Sequence, residues 1–353
     1  MKQYDERDIM FSRMNYKEGT EIYSDYYNRN PHMKEVDDSL RALPQMGQEG
    51  SVMYDKVNSP IVDAAFRYLS DIRKFSEGTT AETKVEVDPI VMSEKLKGLA
   101  TLYNGKIVGI TEMKDYHYYS HRGRHEENYG EEVTNKHKYG IVFAVPMDTE
   151  MIMRAPKLSE AVGVVKGYVE AAAIGMILSY YIRELGYDAM NHMDGNYLVV
   201  APLVAMDAGI GEFGRNGLII TKEYGPCVRL GVVTTDMPLI PDKKQDFGVK
   251  EFCIDCGRCA RTCPGKAISK TDMEEKDGVL RWKINAEECH RRWRCLGTDC
   301  AICLANCPFT YGISEELISK IKTSSETREK ILKEFEDKYG IRPIIREDVP
   351  WLK

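Results

Sequence analysis

The chain has 353 residues, 43% hydrophobic and 29% charged, with a formal net charge of −6 and ten cysteines. That length and composition exclude general disorder and allow one large core or two ordinary ones, and the acidic balance, without a long basic run, gives no footing for a general nucleic-acid binder. Nine of the ten cysteines fall between Cys253 and Cys307, leaving Cys227 alone; a disulfide framework would staple the whole length, so the crowding points to metal ligation.

Residues 1–13 hold no apolar signal core and no twin arginine. Together with cysteines that are free or iron-bound, this leads us to expect a cytoplasmic protein. Residues 1–60 are polar and rich in Tyr, Asp and Glu, with turn signals at Asn30-Pro31 and Leu43-Pro44. The spacing of Ala65, Tyr68, Leu69 and Ile72 predicts a helix over 61–75. Residues 107–111 and 139–145 read as strands, with a His- and Tyr-rich loop at 116–125 between them. A metal patch at His117, His121 and His125 is the less common reading of such a loop than isolated surface histidines. Ser159 is placed to cap a long helix ending at Gly186, with Glu160 in its first turn. The most apolar part of that helix, 168–182, is shorter than the roughly 20 residues a membrane span needs and contains Glu170, so a buried helix and no membrane span are expected. Residues 218–221 and 228–234 read as strands, 242–246 as a linker, and 314–339 as a charged amphipathic surface helix. The division expected is a mixed α/β domain over 1–245, a cysteine module over 246–312 and a helical extension over 313–353.

The first cysteine motif is Cys253-x2-Cys256-x2-Cys259-x3-Cys263-Pro264, and the second is Cys300-x2-Cys303-x3-Cys307-Pro308. The first is the run of bacterial two-cluster ferredoxins, whose fourth cysteine ligates the other cluster. Three thiolates on a tight loop reach three irons of one cubane, and the fourth points away. Reciprocity then assigns Cys253, Cys256, Cys259 and Cys307 to one [4Fe–4S] cluster, and Cys263, Cys300 and Cys303 to a second. A regular second motif would draw its last ligand from position 297, which is Gly297; Cys289 and Cys295 are the candidates. Zinc also accepts four thiolates, but the four-cysteine string is far more specific than a pair of two-cysteine hooks. Two clusters in series make an electron path. A plain ferredoxin does not need 245 residues in front of it, so the leading domain is expected to hold the acceptor: a flavin, a corrinoid or a substrate.

Gly209, Gly211 and Gly214 form a G-x-G-x-x-G string. A dinucleotide site needs a strand before such a string and a helix after it. Here the string runs into a turn signal at Arg215-Asn216-Gly217 and then into the 218–221 strand, so a nicotinamide site is rejected. Close backbone approach to a large flat ligand stays open, as does a tight turn with no ligand. Asp188-x3-His192-x2-Gly195 misses the corrinoid signature of methyltransferases and mutases, which has one residue between Asp and His. His192 is expected to be a polar loop residue, and no histidine is expected beneath a corrinoid.

Further segments, specific jointly through their order and spacing, are Asp5-Glu6-Arg7-Asp8, Phe11-Ser12-Arg13, Asn30-Pro31, Asp37-Asp38, Arg41-Ala42-Leu43-Pro44, and residues 139–147, 182–187, 208–217, 224–229 and 235–239. On these the chain resembles the reductive dehalogenases, corrinoid- and iron–sulfur-dependent enzymes, over nearly its whole length. The resemblance implies an α+β protein. A nitroreductase-like α/β core over 1–245 would bind cobalamin or a related cobamide in base-off form together with the substrate, with a bacterial-ferredoxin-like two-cluster module after it. It implies Cys289 as the completing ligand of the second cluster, with Cys295 as the local alternative. It also implies a polar pocket in which Tyr168 donates a proton, Arg229 favours the phenolate or holds a leaving halide, and Asn196 orients substrate or donor. Gly209, Gly211, Glu212, Gly214 and Arg215 would contact the corrinoid. Core packing, a structural ion pair and a turn are the plainer roles for Tyr168, Arg229 and Asn196. The related epoxyqueuosine reductases carry a catalytic Asp three residues before the proline equivalent to Pro202; here Val199 stands there.

The expected activity is that of an oxidoreductase. It would take electrons from an external low-potential donor of ferredoxin or flavodoxin type and cleave a carbon–halogen or other reducible bond of a small organic substrate. Two rivals are an epoxyqueuosine-reductase-like enzyme acting on modified tRNA and a non-catalytic iron–sulfur electron-transfer protein. Corrinoid content separates the last from the other two.

Overall fold

The continuous apolar run of the 139–146 segment is explained by burial on both faces. In the computed structural model, which describes residues 1–276 and 278–353, the strands in chain order are β1 (Ile107–Glu112), β2 (Tyr139–Pro146), β3 (Ala189–His192), β4 (Glu212–Phe213), β5 (Ile219–Ile220), β6 (Val228–Thr235), β7 (Glu274–Lys276) and β8 (Val279–Arg281). The central sheet has the order β1-β2-β6-β3, and all its neighbours pair antiparallel. Ile141, Phe143 and Val145 of β2 face one core with Leu178 and Ile182, while Val142 and Ala144 face another with Val199 and Val204. A strand covered on both sides reads as a nearly continuous hydrophobic run, which is why this segment is legible in sequence.

The helix Leu158–Glu184 covers the first face. It is long and apolar enough to cross a membrane, but here it packs on the sheet and on the helix Ser59–Ile72. Gly175 allows this: a Cβ there would meet Asn191 Oδ1 of β3 at 1.9 Å, so any side chain would push helix and strand apart. The N-cap is Lys157 rather than the expected Ser159, which lies inside the first turn and donates to Asp348 Oδ1 (3.3 Å). The C-terminal tail, folding back onto the helix start, has taken the hydroxyl.

Other differences are local. Strand β3 has no period-two signal; its Asn191 and His192 are buried polar residues. His192 is therefore a strand residue, not a loop residue. The 218–221 segment shortens to the two-residue β5, paired in a hairpin with β4. The helix expected over 314–339 divides into Glu315–Ile321 and Ser325–Tyr339, with the Ser324 side chain capping the second. The 242–246 stretch is tied down at Asp242, which accepts from Ile110 N (2.8 Å) and Lys97 Nζ (2.7 Å).

The cysteine module is held from both ends of the chain. The helix Ala286–Leu296 is strapped by the N-terminal segment: Arg294 donates to the carbonyls of Leu43 and Pro44 (both 2.6 Å), and Arg13 pairs with Glu287 (2.8 Å). Just beyond it, Gly47 N donates to Gly297 O (3.0 Å). Gly297 itself has φ +83°, and a Cβ there would lie 2.2 Å from Ser51 Oγ, so only glycine both ends the helix and admits the strap. From the other end, Arg258 donates to Gly340 O (2.6 Å) and Ile341 O (2.8 Å).

Candidate active site

The cysteines separate into two spatial sets. Cys253, Cys256, Cys259 and Cys307 line one small cavity under Phe252 and Phe309. Cys263, Cys289, Cys300 and Cys303 lie together in the wall of a second, much larger cavity of about 470 Å³. Cys295 lines neither; its backbone carbonyl accepts from Val52 N (3.0 Å) in the N-terminal strap. Of the two candidates for the last ligand, the fold thus brings Cys289 to the other three. Helix geometry accounts for this, because six residues along Ala286–Leu296 is about 600° of rotation and turns the two side chains to different faces. Burial pushes the free thiols of Cys259 and Cys289 up to about 12 and that of Cys300 up to about 11. Such thiols stay protonated until a metal displaces the proton. The second loop also holds Cys300 (φ +69°) and Ala301 (φ +38°) in the left-handed region, where non-glycine residues persist only under outside constraint. Thr298 supplies part of that constraint, donating to Pro156 O (2.8 Å).

The large cavity lies between the end of the sheet, the central helix and the second cysteine set. Tyr168 and Arg229 both reach it. Arg229 stands on β6 opposite Val145, close to the end of β2, and its guanidinium lies over the Tyr168 ring at 4.0 Å from the centroid. Burial raises the Tyr168 phenol above its ordinary value, and the Arg229 charge pulls it back. The contact is a cation–π stack on the ring face, which leaves the phenol oxygen free of this arginine's hydrogen bonds.

Several residues singled out in the sequence stand elsewhere. Asn196 is outside the cavity wall: it closes a turn on Met193 O, and its amide oxygen accepts from Arg122 Nη2 (3.4 Å). Its neighbours Asp194 and Tyr197 line the cavity instead. Gly209, Gly211, Glu212, Gly214 and Arg215 are also absent from the wall. Glu212 Oε1 accepts from Phe247 N (2.7 Å) and Gly248 N (3.1 Å), at the start of the helix Val249–Cys256. Arg215 donates to the carbonyls of Cys253, Ser269 and Thr271 (each 3.1 Å) and stacks over Trp282. These two charged side chains join the leading domain to the cysteine module. A backbone signal in the glycines could not reveal that, because their partners lie 35–56 residues away. His117, His121 and His125 do not converge: they engage Asp207, Ser120 and Gly195 O respectively.

Sequence reasoning missed three polar groups in the cavity wall, Glu160, Arg292 and Asp299. Burial pushes the Glu160 carboxyl well above its ordinary value, and Asp299 pushes in the same direction while Arg229 opposes both. His192 also lines the wall, but both its ring nitrogens are used. Nδ1 accepts from Leu198 N (3.1 Å) and Nε2 meets Thr234 Oγ1 (2.8 Å). No free imidazole is therefore offered there as a metal ligand.

The family of 4Fe-4S dicluster domains matches residues 252–311. Among curated proteins, the tetrachloroethene reductive dehalogenase of Sulfurospirillum multivorans is 39% identical over 179 residues, 49% of this chain and 35% of that protein. That of Dehalobacter restrictus is 32% identical over 225 residues, 60% and 40% respectively. Over about half of its length the chain is similar to reductive dehalogenases. A solved catabolic reductive dehalogenase, in complex with 3-bromo-4-hydroxybenzoic acid, shares the fold at TM-score 0.77 and 21% identity, over 97% of this chain and 47% of that one. The chain thus spans under half the length of these relatives. Within this reductive dehalogenase fold, Val199 is a buried wall residue of the cavity, so no carboxylate occupies that place.

The donor sets fit the groups that the family implies. Each cluster set has four thiols around one space. The large cavity has apolar walls with small residues such as Ala171, Ala172 and Gly265, and three orphaned polar groups, Glu160, Arg229 Nε and Arg292 Nε. A large, flat, polar-rimmed cofactor such as a corrinoid matches that mixture.

Proposed function

We propose that this chain is a corrinoid-dependent reductase of the reductive dehalogenase type, binding cobalamin or a related cobamide in base-off form. Its substrate would be a small organic molecule with a carbon–halogen bond. The observation that carries this reading is a single cavity whose wall holds both the second cysteine set and the Tyr168–Arg229 pair. When bound, the corrinoid would supply the low-potential metal chemistry that no side chain provides. The protein's own contribution is fourfold. Cys253, Cys256, Cys259 and Cys307 hold one cluster, and Cys263, Cys289, Cys300 and Cys303 hold the other against the cavity. Apolar walls exclude water. Tyr168 donates a proton where the broken bond leaves negative charge. Arg229, fixed over the ring, stabilises the phenolate left behind or holds the departing halide. Asp194, held by Arg124 at 3.3 Å, is the polar residue of this turn that lines the cavity, in the place expected for Asn196.

The ten free cysteines fit a reducing, cytoplasmic setting, with electrons from an external ferredoxin- or flavodoxin-type donor. The catalytic and cofactor-binding unit would be 1–245, with 246–312 as the electron module and 313–353 as an extension bracing it. Val199 speaks against epoxyqueuosine chemistry.

The test is anaerobic production with added cobamide, followed by metal analysis and assay of halogenated arenes and alkenes with a low-potential reductant. About eight irons and about one cobalt per chain are expected, with halide release. Cobalt well below one per chain under these conditions would overturn the corrinoid reading. Stoichiometric cobalt with no halide released from any substrate would overturn dehalogenation.

A further inference from the structure

Glu160 is fully buried, and neither of its carboxyl oxygens has a partner. It occupies the first turn of the central helix, on the same face as Val164 and Tyr168 four and eight residues on, and all three line the cavity. Ser159, beside it, is spent on Asp348. Arg229, the cation acting on it, makes no hydrogen bond to it. Buried carboxyls are almost always hydrogen-bonded, and one left bare marks a missing partner.

The missing partner must bring hydrogen-bond donors into an otherwise apolar space. A halogenated hydrocarbon has none. The same wall carries two orphaned donors, Nε of Arg229 and Nε of Arg292, so the occupant must also offer acceptors. A primary carboxamide offers both: its N–H groups meet Glu160 and its carbonyl meets an arginine. A corrinoid ring carries such carboxamides around its rim.

We propose that Glu160 anchors a carboxamide side chain of the corrinoid rim, so that the cofactor's orientation is set from the first turn of the helix that carries Tyr168. This rests on the corrinoid reading above, and the test separates the two. Cluster-loaded protein prepared without cobamide is titrated anaerobically with hydroxocobalamin. Bound cofactor is read from the visible spectrum and from cobalt retained through gel filtration, alongside iron content. Glu160→Leu is expected to weaken binding roughly 10- to 100-fold with iron unchanged, and Glu160→Gln, which keeps an acceptor, to bind close to wild type. Cobalamins with single rim amides hydrolysed to carboxylates form the second probe. The wild type should reject one positional isomer at least tenfold, and Glu160→Gln should restore its binding. Equal affinity of Glu160→Leu and wild type overturns the anchor. So does indifference of the wild type to every hydrolysed isomer, a result that needs only folded wild-type protein. Failure of the wild type to bind hydroxocobalamin or any other added cobamide overturns the corrinoid reading instead.

Discussion

The cysteine module and the leading domain present their functional groups in opposite ways. In the module, seven of the eight proposed ligands sit in two short strings, Cys253 to Cys263 and Cys300 to Cys307; loop geometry gathers the leading thiols of each string, and the last cysteine of each crosses to the other set. In the leading domain, the cavity wall draws Glu160 and Tyr168 from one helix, Asp194 from the turn after β3, and Arg229 from β6. No short string contains them. Sites built from local loops are thus read from spacing, and sites built across a sheet and a helix are not. The exception in the module makes the same point: Cys289 lies outside both strings and reaches its set through a helix braced by the N-terminal strap.

Three measurements sharpen this contrast. The largest effect is expected at Cys289. Cys289→Ser should lose the second cluster, with iron falling from about eight to about four per chain, whereas Cys295→Ser should keep full iron. The reverse pattern would show that sequence proximity, not the helix face, selects the ligand. Next is Tyr168→Phe, which should retain iron and cobalt while turnover drops roughly 10²–10⁴-fold, the usual worth of a positioned proton donor. Full activity would return Tyr168 to a packing role. The smallest effect concerns His192, whose imidazole burial depresses to about 3. Its folded value lies below its unfolded value of about 6.5. The unfolded chain therefore binds the extra proton between those limits, and stability declines as pH falls below about 6.5, by up to about 1.4 kcal/mol per unit. Denaturant unfolding at pH 7 and pH 5 should show a shallower loss in His192→Gln; an identical loss would mean that the burial of His192 does not control it.

Much of the architecture was legible. β1, β2 and β6 carry β-branched runs bounded by Gly or Pro, and the central helix carries an apolar stripe, so each appears within a few residues of its expected limits. β3 was not legible, because its Asn191 and His192 are buried by tertiary hydrogen bonds to Ala172 O and Thr234 rather than by an apolar pattern. The break at 322–324 rests on a brief polar signal, Thr323-Ser324-Ser325, inside a long charged stretch, and Ser324 turns it into a cap. The glycine string runs into the β4–β5 hairpin rather than a helix, as its context predicts, while the work of Glu212 and Arg215 in joining the two parts depends on distant backbone groups.

The sequence by itself determined the electron path. Ligand chemistry requires thiolates at short fixed spacings, and spacing is a one-dimensional property. Only the tertiary structure decided which residues share the large cavity, since that depends on the antiparallel register that sets Arg229 opposite Val145 and on Gly175 letting the helix settle against β3. It also decided that Glu160 would be buried without a partner. The unmet hydrogen bonds of a carboxyl exist only once other chain segments have removed the water.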